Sequence, residues 1–294
     1  MADFRGNYTV MVTPFDEAGK VDEGGLRRFV DWQIAEGVQG LIPLGSTGEF
    51  LSMTRAERTQ VASVVIQQAA GRVPVLVGTA AEWTDEAVDM SREAERLGAD
   101  GVMIVPPFYS SPTEDEIFIH YERIAQVMSI PIMVYNNPST SNVDLSAQLV
   151  ARLSHIDNVS YIKESSGDVT RTTRILDLCG DRITVFAGYH PWESYLVGAQ
   201  GYVSVFSNIA PRLSTELFNA TVERKDPETG RQIYHRVLPL LDALSGDLYV
   251  SATKAALNLI GMPVGEPRAP RLPLPACRLA PLKSVLNGLG LIEN

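Results

Sequence analysis

Lysine is scarce in this chain. Of 25 basic residues, only Lys20, Lys163, Lys225, Lys254 and Lys283 are lysines. Four of these fall in loops or helical patterns. Lys163 instead closes a short apolar run, Val159-Ser160-Tyr161-Ile162-Lys163, of the kind that forms a buried strand. An ammonium at the end of such a strand loses solvation, which lowers its pKa. A free lysine is neutral in only about one molecule in 2500 at pH 7. One tuned to about 7–8 becomes a usable amine nucleophile. It can condense with a carbonyl, and the resulting iminium lets a C–C bond form or break at the neighbouring carbon. The ordinary alternative is a lysine paired with a carboxylate.

Other reactive types end other apolar runs. Gly45-Ser46-Thr47-Gly48-Glu49 follows the second. Its glycines permit a tight turn, and its backbone N–H groups and two hydroxyls can hold a carboxylate, although an ordinary turn has the same look. Glu49 is expected to brace the turn. Tyr135 ends the run beside that of Lys163, where a phenol can relay protons or pack as a core tyrosine. Tyr109 sits on the loop Pro106-Pro107-Phe108-Tyr109, suited to a relay or a subunit interface. Thr13, Asn136, Gly188, Ser204, Ser207 and Asn208 complete the set. The four histidines have no ligand spacing, so no metal or other cofactor is called for. Gly-x-Ser-x-Gly is absent.

The elements that must position these residues can be read from pattern. Apolar runs recur at Tyr8–Thr13, Gly40–Leu44, Val73–Val77, Gly101–Val105, Pro131–Tyr135, Val159–Lys163, Ile183–Phe186 and Gly201–Val205. Amphipathic stretches such as Arg55–Ala70 and Asp85–Leu97 separate them. Thr54 and Thr113 each precede Glu by three residues, the pattern of a capping box; Thr84 and Asp144 also stand at expected helix starts. Strict alternation of buried strands and helices predicts an α/β fold with a parallel sheet, and eight units predict a (β/α)8 TIM barrel. The first strand ends in Val12-Thr13-Pro14-Phe15, not in a nucleotide-binding loop. Beyond residue 225 the strand pattern stops. Arg231–Leu244, Leu248–Ile260 and Pro275–Gly290 read as helices, with Pro263–Pro275 as a linker. We therefore expect a catalytic barrel over 1–225 and a C-terminal helical extension over 226–294. In a barrel of this kind the site lies at the C-terminal ends of the strands.

Composition narrows the partners. The net charge of -10 argues against nucleic acid and anionic membranes. Cys179 and Cys277 form no CxxC pair or disulfide framework. No secretory signal or membrane-spanning run is visible, which predicts a cytoplasmic protein with a small-molecule substrate.

Taken together, Thr13-Pro14-Phe15, the Gly45–Glu49 loop, Pro106-Pro107-Phe108-Tyr109, Tyr135-Asn136-Asn137-Pro138, Lys163-Glu164-Ser165-Ser166-Gly167-Asp168 and Gly188 resemble the dihydrodipicolinate synthase / N-acetylneuraminate lyase family. The resemblance covers nearly the whole chain and rests on all the motifs in order. It implies a class I Schiff-base aldolase or lyase, with Lys163 joined to pyruvate or another 2-oxo acid and Tyr135 as general acid/base. Ser46 would replace a threonine that links tyrosines, and Tyr109 would reach a neighbouring subunit's site. Thr47 and Gly45 would hold the carboxylate, while the Val203 backbone and Gly188 would line the pocket. A homodimer or homotetramer would follow.

One departure stands out. Synthases of this family resemble one another in Tyr-Asn-x-Pro-x-Arg-Thr-Gly, whose arginine grips the second substrate's carboxylate. Thr140 occupies that place here and cannot form a bidentate, charge-assisted pair; Arg212 is a basic residue that could compensate from elsewhere. Tyr189-His190-Pro191-Trp192 adds a lining of its own. A 2-keto-3-deoxy sugar acid aldolase or dehydratase is the alternative within the class. Outside it stand a non-catalytic 2-oxo acid sensor and a phosphate-binding barrel isomerase. The sensor needs no amine nucleophile, and the loops after the last two strands match a phosphate site poorly.

Overall fold

In the computed structural model, which describes residues 4–293, eight short parallel strands build one sheet in a nearly closed barrel, with helices between them. They are β1 Gly6–Val10, β2 Gly40–Ile42, β3 Leu76–Gly78, β4 Gly101–Ile104, β5 Ile132–Asn136, β6 Val159–Glu164, β7 Thr184–Ala187 and β8 Gly201–Ser204, in the order β2-β1-β8-β7-β6-β5-β4-β3. Nearly every strand residue is buried, as a parallel sheet covered on both faces requires. The (β/α)8 architecture expected from alternation is the architecture found.

Two strands start two or more residues away from the apolar pattern. The first was expected over Tyr8–Thr13, yet β1 starts at Gly6 because Asn7, although polar, is fully buried. Its amide donates to the Ser207 and Thr215 hydroxyls at 2.9 and 3.1 Å. The strand ends early because the Val12 N–H donates to the Asn208 side chain at 3.0 Å rather than to a neighbouring strand. The third, expected from Val73, begins at Leu76, since the Val75 N–H is taken by the Asp100 carboxylate at 2.8 Å.

Thr54 and Thr113 form full capping boxes. Thr84 does not cap: it is the first residue inside its helix, and its hydroxyl bonds His120 Nδ1 at 3.0 Å. Asp144 is likewise diverted, to Arg171, and Ser146 caps the Ala147–Leu153 helix instead. The later helices run Pro227–Ala243, Tyr249–Leu259 and Ala276–Gly288. The first starts ahead of its apolar pattern because Asp226 caps it with Pro227 in the first turn.

The chain divides into two compact units. One comprises Pro74–Val203 with residues 4–6, and holds β3 to β7 and most of β8. The other comprises Asn7–Val73 and the part from Ser204 onward, with most of β1, β2 and the C-terminal helices. In this second unit Gly40 makes room for a neighbour: a Cβ there would lie 2.1 Å from the Tyr8 ring. Among the described residues no helix is long and apolar enough to cross a membrane.

Candidate functional site

Strand register brings the central pair together. β5 and β6 run parallel with Tyr135 opposite Lys163, so both side chains leave the sheet on one face. Lys163 Nζ lies 3.9 Å from the centre of the Tyr135 ring. Lys163 is only 5% exposed, and no carboxylate pairs with it among the described residues. Burial alone therefore lowers its pKa from 10.5 to about 7. About half of the molecules then carry a neutral amine at pH 7. The ordinary ion-paired role is not the one this lysine has.

The Tyr135 hydroxyl accepts the side-chain N–H of Asn137 at 2.8 Å, with both residues buried. On the opposite face, Asn136 stands opposite Glu164 and donates to its carboxylate at 3.0 Å. The Ser166 N–H donates to the same carboxylate at 2.6 Å. Burial raises the Glu164 carboxyl, with these hydrogen bonds opposing. Glu164 thus locks the ends of β5 and β6 around the lysine. Its backbone carbonyl accepts the Gly188 N–H at 2.7 Å. Glycine is required there, since a Cβ would lie 1.7 Å from Ser165 Oγ. That hydroxyl is buried and has no hydrogen-bond partner among the described residues.

The Gly45–Glu49 loop belongs to the second unit. Its turn is closed by Gly48 N–H to Gly45 C=O and by Glu49 N–H to Ser46 C=O, at 3.0 and 3.1 Å. Thr13 donates to the Gly48 carbonyl at 2.8 Å. Thr47 is buried and Ser46 half-buried. Neither hydroxyl makes a hydrogen bond among the described residues, so both remain open to a ligand. Glu49 takes a left-handed backbone, φ 59°. Its carboxylate meets Lys254 Nζ at 2.8 Å, with both side chains 0% exposed, and accepts the Arg268 N–H at 2.8 Å. Lys254 also donates to the Glu266 carbonyl at 3.1 Å and lies over the Phe15 ring. Burial pushes its pKa down and Glu49 pulls it back up.

The remaining expected residues fall in different settings. Tyr109 is 88% exposed. Its loop is nevertheless held, because the N–H groups of Phe108, Tyr109 and Ser110 all donate to the Glu82 carboxylate at 2.8–3.0 Å. Val203 is buried in β8, one residue beyond the last pair with β7. Thr140 is exposed in the short helix Pro138–Ser141. Arg212 pairs with Glu36 at 3.1 Å on the surface. Ser207 and Asn208 are buried in hydrogen bonds to Thr9, Val10 and Val12, which leaves them no part in a phosphate site. Pattern alone missed Asn137, Ser165 and the Lys254–Glu49 pair. The segment Tyr135-Asn136-Asn137 carried a signal for the first, whereas nothing local links Lys254 to Glu49.

The chain is similar to known proteins along nearly its whole length. The sequence pattern of the Dihydrodipicolinate synthetase family matches residues 3–287. The 4-hydroxy-tetrahydrodipicolinate synthase of Acidiphilium cryptum is 36% identical over 98% of this chain and 99% of that protein. That of Pelobacter propionicus is 38% identical over 98% and 100%. The structure of dihydrodipicolinate synthase from Acinetobacter baumannii complexed with pyruvate superposes with a TM-score of 0.96 at 33% identity, covering 99% of this chain and 100% of that one. With the buried amine at the end of its sixth barrel strand and a match along nearly its whole length, the chain belongs to the dihydrodipicolinate synthetase family of Schiff-base lyases.

Proposed function

We propose that the protein condenses pyruvate, or a closely related 2-oxo acid, with an aldehyde through a Schiff base on Lys163. The observation that carries this reading is the buried amine of Lys163, about half neutral at pH 7 and with no carboxylate partner among the described residues, in register beside Tyr135. The Nζ lone pair attacks the ketone carbon, and the carbinolamine loses its hydroxyl as water to give an iminium. Tyr135 supplies and removes the protons. The iminium then draws electrons from the adjacent carbon, which gives up a proton, becomes an enamine and adds to the aldehyde. Thr47, Gly45 and Ser46 hold the carboxylate, with Gly188 and the Val203 backbone on the ketone side. Tyr109, exposed on a braced loop, completes the site of a second copy in a homodimer or homotetramer. The barrel over 1–225 is the catalytic part and 226–294 its helical extension. The chain works in the cytoplasm on small molecules, without nucleic acid or membrane.

Borohydride trapping with pyruvate tests the class. The reduced adduct is expected on the Lys163 peptide. Its rate should rise about tenfold between pH 6 and 8 and then level, because an amine titrating near 7 is mostly neutral by pH 8. A rate that keeps climbing towards pH 10, or an adduct on another lysine, would refute the assignment.

Thr140 favours a second reading of the acceptor, because it offers a hydroxyl and no charge. A hydroxyl-rich 2-keto-3-deoxy sugar acid, cleaved or dehydrated, then replaces the carboxylate-bearing aldehyde. Thr140→Arg is expected to raise kcat/KM for a carboxylate-bearing aldehyde about tenfold or more, the scale of a charge-assisted pair. It should not raise kcat/KM for a polyhydroxy substrate. Equal effects on both would remove Thr140 as the discriminating residue.

A further inference from the structure

We propose that Asn137 is a positioning residue for the acid/base step: its side-chain amide fixes the Tyr135 hydroxyl as an acceptor and leaves the phenol's own proton for the reacting centre. The proposal rests on the reading of Tyr135 given above. The Asn137 Nδ2–H donates to Tyr135 Oη at 2.8 Å, and the Ser139 hydroxyl donates to Asn137 Oδ1 at 2.9 Å. In this arrangement the Ser139 hydroxyl holds the amide oxygen, and the group facing the phenol is the amide N–H donor. A donor there stabilises developing negative charge on the phenol oxygen. The phenol has a single proton, which cannot be given back to an N–H, so it is directed elsewhere.

A capping role does not account for this side chain. Asn137 precedes the Pro138–Ser141 helix, a position where asparagine ordinarily caps with its side chain. Here it makes no side-chain cap. The first turn is held by the Asn137 backbone carbonyl, which accepts from the N–H groups of Thr140 and Ser141 at 3.1 and 3.0 Å and from the Ser141 hydroxyl at 2.8 Å. Substituting the side chain leaves all three bonds in place. An aliphatic residue at 137 would keep these backbone bonds and lose the side-chain bonds to the phenol and to the Ser139 hydroxyl.

The test compares Asn137→Val, Asn137→Asp and Ser139→Ala with the unaltered enzyme. Loss of the amide donor is expected to lower kcat about tenfold, the scale of one buried hydrogen bond. It should also move the alkaline limb of the kcat–pH profile up by about one pH unit. Tyrosinate absorbance, titrated in the folded protein, should move in the same direction. KM for pyruvate and the borohydride adduct on Lys163 should hold. Asn137→Asp should shift the limb further, since a carboxylate repels a phenolate, and Ser139→Ala less. The aspartate and Ser139 variants carry the test if the valine variant does not fold. An unmoved pH profile, whether or not kcat falls, would overturn the proposal. Tyr135→Phe separates the two claims. If it keeps full turnover, the reading of Tyr135 is wrong; if it is inactive while the Asn137 variants keep the unaltered profile, only the assignment of Asn137 fails.

Discussion

Replacing Lys163 by alanine or arginine is expected to reduce turnover by a factor on the order of 10⁴ or more, the scale reached when a covalent nucleophile is removed from other enzymes. Arginine keeps the charge but cannot supply a neutral amine, so it should be no better than alanine. A neutral replacement should have an opposite effect on stability. The amine is buried without a counter-charge among the described residues, and its pKa falls from 10.5 to about 7. That drop corresponds to roughly 4–5 kcal/mol of cost at neutral pH. The sign follows from proton binding: between pH 7 and 10.5 the unfolded chain holds a proton on this residue that the folded chain has released. Stability from this group therefore rises with pH across that window and is lowest at and below pH 7. Lys163→Met, which fills a similar volume, should be more stable than the unaltered protein at pH 7, and the difference should vanish towards pH 10.5. Urea denaturation at the two pH values measures it. A variant that is inactive but no more stable at pH 7 would mean that the amine has a partner when folded; an active variant would end the Schiff-base assignment.

Breaking the Lys254–Glu49 pair should give the largest loss of stability. Both side chains are fully buried and in contact at 2.8 Å. Removing one partner strands the other charge in the interior, which costs about 3–5 kcal/mol. Lys254→Met and Glu49→Gln should each lose about that much, and the double variant Lys254→Met/Glu49→Met much less than the two added together. The loss should change little with salt, because buried charges are poorly screened. Single variants that remain folded should also raise KM for the 2-oxo acid more than they lower kcat. Glu49 is bonded through its N–H to the Ser46 carbonyl, so slackening it loosens the proposed carboxylate loop while the amine of Lys163 is untouched. Additive losses in the double variant would show that the two residues act independently.

These expectations divide by what a linear pattern can carry. Eight apolar runs alternating with amphipathic stretches, and two Thr-x-x-Glu boxes, were legible because helices and strands repeat over a few residues and leave that period in the chain. Lys163 was legible for the same reason, as the one lysine closing a buried strand. Thr84 and Asp144 misled because each is drawn to a partner outside its own helix, His120 and Arg171. Asn7 misled because, read in sequence, an amide bonded to residues some 200 positions away is merely polar.

The proposed nucleophile, its strand and the barrel itself could be named from residue types and spacing, since each depends on local periodicity and on the desolvation of one side chain. The pairing of Lys254 with Glu49, the turning of Asn137 from cap to phenol, and the unfilled hydroxyl of Ser165 were decided by tertiary structure. They depend on distances between groups far apart in the chain, or on which of two available partners a polar side chain faces. A one-dimensional pattern has no term for either.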